Sequence, residues 1–188
     1  MPGETRSGDL HVVAPFPGGV LVGVIDGLGH GEDAADAALA AAGVLAEHAA
    51  EPLPALVERC HEAIRTTRGV ALSVAALAGP SGDVSWLGVG NVEATLFRAD
   101  PSAGQARESL VLRGGVVGYR LPPLRSSIVP VRPGDTLVFT TDGVGTDALV
   151  GLGSGASPTR IAEDLLSRFA LSTDDALVLV ARYRGEPA

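Results

Sequence analysis

Apolar and polar positions follow two different periods along this chain, and the points where the period switches divide it into elements. Residues 10–14 and 20–25 are apolar runs separated by Pro15-Phe16-Pro17-Gly18-Gly19, which predicts a β-hairpin whose second strand is buried on both faces. Residues 32–48 are Ala-rich and begin with Glu32, Asp33 and Asp36, acids suited to the amino terminus of a helix. Pro52 and Pro54 break that helix. A second helix is predicted over residues 53–67, with Leu56, Val57, Cys60 and Ile64 on one side and Glu58, Arg59, Glu62 and Arg65 on the other. The period then shortens to two. Residues 70–77, 84–89, 93–98 and 109–112 read as short strands, divided by Gly79-Pro80-Ser81-Gly82, by Gly90-Asn91 and by a polar loop over 100–107. A further extended segment ends at Val131, and Arg132-Pro133-Gly134-Asp135 turns into a strand over 136–141. A stretch with Gly151, Gly153 and Gly155 precedes a third helix over 158–169, with Ser157 as its cap and Pro158 in its first turn, and the last strand spans 176–183.

The order ββ, αα, several β, α, β lacks the strict alternation of a doubly wound parallel sheet. It predicts an α+β fold of two antiparallel sheets with helices packed outside. A length of 188 residues suits one domain over 1–188, and 46% hydrophobic against 19% charged residues places the chain well away from disordered compositions.

Charge narrows the partners. The net charge is −8 and all 14 basic residues are scattered arginines, which argues against a nucleic-acid footprint and against an anionic membrane surface. No run reaches a membrane-spanning length and the first ten residues are polar where a signal peptide is apolar, so a cytoplasmic protein is expected. A single cysteine, Cys60, excludes an internal disulfide and cysteine-based metal frameworks. Trp86 reads as core, and His11, His48 and His61 have no metal-binding spacing with one another.

Candidate chemistry lies in aspartates beside predicted strands. Asp26 follows Leu21-Val22-Gly23-Val24-Ile25 and opens Gly27-Leu28-Gly29-His30-Gly31. Asp142 follows Leu137-Val138-Phe139-Thr140-Thr141 and precedes Gly143, Asp174-Asp175 open the last strand, and Asp9 opens the first. Hard divalent cations take such oxygen donors and keep several waters, without needing His or Cys. Each place also has a plainer reading. Asp142-Gly143 is an ordinary turn sequence, Asp174-Asp175 suits a solvated loop or a cap, Asp9 an exposed end, and the Asp26 loop a phosphate cradle, although it lacks the Lys and Ser/Thr of a P-loop. Asn91 and Glu93 follow a Gly and are suited to a turn near the site, with an ordinary hairpin turn as the favoured plainer reading. Arg113, Arg120 and Arg125 flank a Gly-rich segment and are either solvated or suited to an acidic partner.

The segments Val24-Ile25-Asp26-Gly27-Leu28-Gly29-His30-Gly31, Phe139-Thr140-Thr141-Asp142-Gly143-Val144 and Asp174-Asp175-Ala176-Leu177-Val178-Leu179-Val180 together resemble the metal-dependent protein phosphatase family, in its SpoIIE-type branch. Gly88-Val89-Gly90-Asn91-Val92-Glu93 and Gly114-Gly115-Val116-Val117-Gly118-Tyr119-Arg120-Leu121-Pro122 are similar to the small stressosome feedback phosphatases within it. The resemblance implies a four-layer α/β/β/α sandwich with two Mn²⁺ or Mg²⁺ ions at one end. It implies that Asp26 bridges both ions, Gly27 offers its carbonyl, Asp142 and Asp174 complete the shell, Asp9 acts directly or through water, and Asp175 lies just outside. Asp26, Asp142 and Asp174 are thus the implied catalytic set, with a metal-activated water displacing a serine or threonine alkoxide. The implied substrates are phosphorylated STAS-domain proteins of a stress-response partner switch. Two departures stand out: Leu28 occupies the place of a histidine in eukaryotic members, with His30 two residues later, and Arg6 lies too close to Asp9 to match their phosphate-gripping arginine. The alternatives are a phosphatase-like module that docks a partner without turnover, and a hydrolase of small phosphate esters.

Overall fold

Period-two apolarity becomes a layered structure because each central strand feeds two cores at once. In the computed structural model, which describes residues 6–78, 82–100, 102, 105–145, 147–149 and 155–185, strand β2 (Gly19–Gly27) sends Leu21 and Ile25 to one side and Val22 and Val24 to the other. The first pair joins a core beneath helices α1 (Glu32–Glu47) and α2 (Leu53–Ala63), and the second joins the core between two sheets. That is why β2 carries an almost unbroken apolar run.

The first sheet has the order β1-β2-β3-β4-β7, with β1 at Asp9–Phe16, β3 at Val70–Ala78, β4 at Asp83–Val89 and β7 at Ser127–Pro130. The second has the order β6-β5-β8-β9, with β5 at Glu93–Phe97, β6 at Arg107–Ser109, β8 at Thr136–Thr140 and β9 at Val178–Arg182. Every strand pair is antiparallel. Leu137 and Phe139 of β8 face the intersheet core, while Val138 faces a third core closed by helix α3 (Pro158–Phe169), which completes the α/β/β/α layering. Trp86 is fully buried between the sheets.

Some boundaries differ from the sequence pattern. Helix α2 stops at Ala63, four residues early, because Thr67 folds back so that its amide and its hydroxyl both donate to the Ile64 carbonyl. Strand β6 spans Arg107–Ser109 and not 109–112: the Leu110 amide still donates to the Ala94 carbonyl of β5 at 2.8 Å, and the side chains of Leu110 and Leu112 fill the intersheet core beside Gly88. Strand β9 begins at Val178, so Asp174 and Asp175 belong to the loop before it. The turn predicted at Gly79-Pro80-Ser81 and the glycines Gly151 and Gly153 lie outside the described residues.

Two glycines fix how these layers meet. A Cβ on Gly27 would overlap the backbone of Ala34 in α1, and one on Gly143 would overlap the carbonyl of Asp175. Each glycine that follows a candidate aspartate is therefore a point of close backbone approach as well as a turn. Gly27 seats the start of α1 against the end of β2, and Gly143 seats the Asp174-Asp175 loop against the end of β8.

Candidate metal centre

Strand ends bring the aspartates together. Asp9 is the register partner of Asp26, and both residues have the parity of the intersheet side of the first sheet. From the second sheet, Thr141 closes the gap: its hydroxyl donates to Oδ2 of Asp9 at 2.6 Å and its Oγ1 accepts from the Leu177 amide at 2.9 Å. One buried threonine thus ties the first strand of one sheet to the approach of the last strand of the other.

A cavity of ≈ 270 Å³ opens at this end and is lined by Asp26, Leu28, Gly29, His30, Asn91, Asp142 and Asp174. Asp26 is half-buried, while Asp142 and Asp174 are exposed. Asp9 is buried behind them. Asp175 is turned to a different task, with Oδ2 accepting the Gly8 amide at 2.6 Å, so it tethers the chain that leads into Asp9. Gly27 is held from the other side by its own amide, which donates to the Gly8 carbonyl at 3.0 Å. A larger cavity of ≈ 660 Å³ lies near the β1–β2 hairpin, at the opposite end of the sandwich. It brings Asp83 together with Arg182 and Arg184 against Val20, Val22, Leu77 and Tyr183, and so lacks a convergent set of acids.

Electrostatics mark the carboxylate end as the strained one. Burial pushes Asp26 up to about 7, helped by the negative charges of Asp9, Asp142 and Asp174 and opposed by Asn91. Burial likewise pushes Asp9 up to about 6 against the Thr141 hydrogen bond, with Asp175, Asp142 and Asp174 adding repulsion. These groups want a positive charge. Among the described residues no three acids or imidazoles close into a ready-made cage around an ion. The donors are instead an open, all-oxygen set with room for water, the arrangement in which Mg²⁺-like ions keep part of their hydration shell.

Three of the sequence candidates, Asp26, Asp142 and Asp174, meet in one cavity, with Asp9 directly behind and Asp175 supporting. Asn91 stands in the bend between β4 and β5, which belong to different sheets, so it closes no hairpin and instead shapes the turn at the cavity. Its Nδ2 donates to Oδ2 of Asp142 at 2.6 Å across the two sheets. The signal available in the sequence was its place after Gly90, whose φ of 96° lets β4 stop abruptly at the cavity. Arg6 forms an ion pair with Asp36 at 2.7 Å and is not among the residues lining the cavity. Arg68 had no signal beyond being a lone arginine, yet its guanidinium reaches the loop that lines the cavity.

The fold and this carboxylate-bearing end define a class, the phosphatases built on two antiparallel sheets between helices. The model of the SpoIIE family, stage II sporulation protein E, matches residues 17–184, and the chain belongs to that family and is a phosphatase, a hydrolase. It is similar to the phosphoserine phosphatase RsbX of Bacillus subtilis (strain 168), at 24% identity over 96% of this chain and 89% of that protein. A crystal structure of RsbX in complex with magnesium superposes with a TM-score of 0.82 at 22% identity, covering 95% of this chain and 87% of the other. A structure described for the bacterial stressosome, as a modular system adapted to control secondary messenger signalling, also gives 0.82, at 24% identity over 96% of this chain and 93% of that one. Among the described residues no helix is long and apolar enough to cross a membrane.

Proposed function

We propose that this chain is a divalent-metal-dependent serine/threonine protein phosphatase that dephosphorylates a STAS-domain partner in a cytoplasmic stress-signalling switch. The observation that carries the reading is the convergence of Asp26, Asp142 and Asp174 in one cavity over the buried Asp9. Asp26, Asp142 and Asp174, with the Gly27 carbonyl and with Asp9 directly or through water, would hold two Mn²⁺ or Mg²⁺ ions. Such ions, when bound, supply Lewis acidity that lowers the pKa of water and neutralises charge on phosphoryl oxygens. The protein's own contribution is to fix the donors: Thr141 orients Asp9, Asn91 orients Asp142, and Gly27 and Gly143 pin both strand ends. The relatives named as RsbX, as a magnesium complex and as the stressosome support the metal, the phosphoserine chemistry and the signalling setting. The cavity is small and open, which favours a phosphorylated side chain presented by a folded protein over an engulfed metabolite.

The test is hydrolysis of p-nitrophenyl phosphate with and without added Mn²⁺. Activity should require the metal and fall by about 100-fold or more in Asp26→Asn and Asp142→Asn. Full activity in both variants, or equal activity in EDTA, would overturn the reading.

A further inference from the structure

The chain that backs one wall of the carboxylate cavity has a chemistry opposite to the cavity's acids. Between Glu108 and Asp135 the chain carries no acidic residue and four arginines, Arg113, Arg120, Arg125 and Arg132, within a protein of net charge −8. The fold presses part of this segment against the site at two points. At one, the Gly90 amide donates to the Arg113 carbonyl at 2.9 Å, next to Asn91 in the cavity wall. At the other, Val117 and Val70 exchange backbone hydrogen bonds at 2.9 Å, and Gly118 lies so close to Gly69 that a Cβ on it would be 3.2 Å from the Gly69 Cα. The Gly69 carbonyl in turn accepts the amide of Leu28, which lines the cavity.

At the second anchor the segment folds into a tight turn bridged from Val116 to Arg120, with Gly118 at a φ of 96° and its amide donating to Nδ1 of His61 at 2.9 Å. The turn is therefore pinned to α2 and to the start of β3. It nevertheless presents Tyr119 at 82% exposure, with Arg113 and Arg120 also exposed. Arg68, next to Gly69, adds a third guanidinium. Its Nη2 donates to Asp33 at 2.6 Å, and its Nη1 lies 2.9 Å from where a Cβ on Gly29 would stand, beside the cavity loop.

We propose that Arg68, Arg113, Tyr119 and Arg120 form a docking rim for the phosphoserine-bearing segment of a protein partner whose flanking residues are acidic. This rests on the phosphatase reading above. Cations in the cavity would attract the phosphate itself but not the residues on either side of it, so the attraction that orients an acidic flank has to come from the rim. Anchored loops holding arginines and an amphipathic tyrosine meet that need with little ordering cost.

The probes are two phosphoserine decapeptides, identical except that one carries Asp and Glu around the phosphoserine and the other carries Lys. With Mn²⁺ at low salt the wild-type protein should favour the acidic peptide in kcat/KM by roughly tenfold, and the preference should shrink as salt is raised. The double variant Arg113→Glu/Arg120→Glu, and separately Arg68→Glu, should reverse or abolish that order while melting near the wild-type temperature. An unchanged preference in all variants, or no flank preference in the wild type, overturns the rim while leaving metal-dependent hydrolysis of p-nitrophenyl phosphate intact. Absence of hydrolysis of that ester as well as of both peptides overturns the phosphatase reading and the rim together.

Discussion

Asp9 and Asp26 stand directly opposite each other across β1 and β2, two carboxylates in a cross-strand position that normally favours opposite charges. Burial and the nearby acids lift Asp26 to about 7, and burial lifts Asp9 to about 6, from a starting value of 3.8. The folded protein therefore holds more protons on these groups than the unfolded chain does between about pH 4 and pH 7. Stability of the metal-free protein must fall as pH rises through that window. In EDTA, Asp26→Asn should raise the melting temperature at about pH 8 by several degrees and flatten its decline between about pH 5 and pH 8, at roughly 2–4 °C per kcal/mol for a chain of this size. Added Mn²⁺ should give the wild-type protein a comparable rise and the variant little. Identical pH profiles for the two proteins would show that the pair is not under repulsion.

Much of this site was legible in the sequence because strand-end aspartates followed by glycine leave a local mark. Asp26-Gly27 and Asp142-Gly143 each end an apolar run, and the structure puts both at the same end of the sandwich. The layer order was legible for a similar reason, since a run apolar on both faces, as in β2, needs a core on each side. What was hidden depended on contacts distant in sequence. Asn91 reaches Asp142 only after β4 and β8 are stacked in separate sheets, and Arg68 reaches Gly29 only through the Leu28–Gly69 hydrogen bond. The misplaced β6 has a related cause. Alternation over 109–112 reports burial of Leu110 and Leu112 against the intersheet core, and that burial continues past Ser109, where the paired register ends.

Asn91 should matter to metal use far more than to folding. Its side chain is exposed, donates to Asp142 and also hydrogen-bonds Asp26, so Asn91→Ala removes a group that orients two proposed metal donors. Partners of this kind are worth about 10–100-fold in metal affinity or activity. The Mn²⁺ concentration giving half-maximal hydrolysis should rise by about tenfold, with a melting temperature in EDTA within ~2 °C of wild type. A large drop in melting temperature with unchanged metal dependence would assign Asn91 to structure alone.

Glycine substitutions should separate close approach from simple flexibility. Gly143→Ala places a Cβ on the Asp175 carbonyl, so either β8 or the Asp174-Asp175 loop must shift, at a cost of about 1–3 kcal/mol. Because that loop carries Asp174, activity should fall along with stability. Gly43→Ala is the control, lying within α1 with nothing near its Cβ position, and it should stabilise by about 0.5–1 kcal/mol. Equal melting temperatures for the two variants would remove the packing argument for Gly143.

Cys60 gives the sharpest separation between a thiol enzyme and a carboxylate one. It is fully buried on α2, with Sγ 4.0 Å from the Ala41 carbonyl, and burial pushes its thiol up to about 12. A thiol so far above neutrality holds almost no thiolate, and the thiolate is the reactive form. Iodoacetamide at about pH 8 should leave hydrolysis of p-nitrophenyl phosphate untouched, and mass spectrometry should find Cys60 unmodified until the protein is unfolded in denaturant. Cys60→Ala should retain activity and lose only the packing of one small side chain, about 1 kcal/mol. Rapid alkylation of the native protein, with inactivation at the same rate, would place the chemistry at α2 and not at the strand-end aspartates.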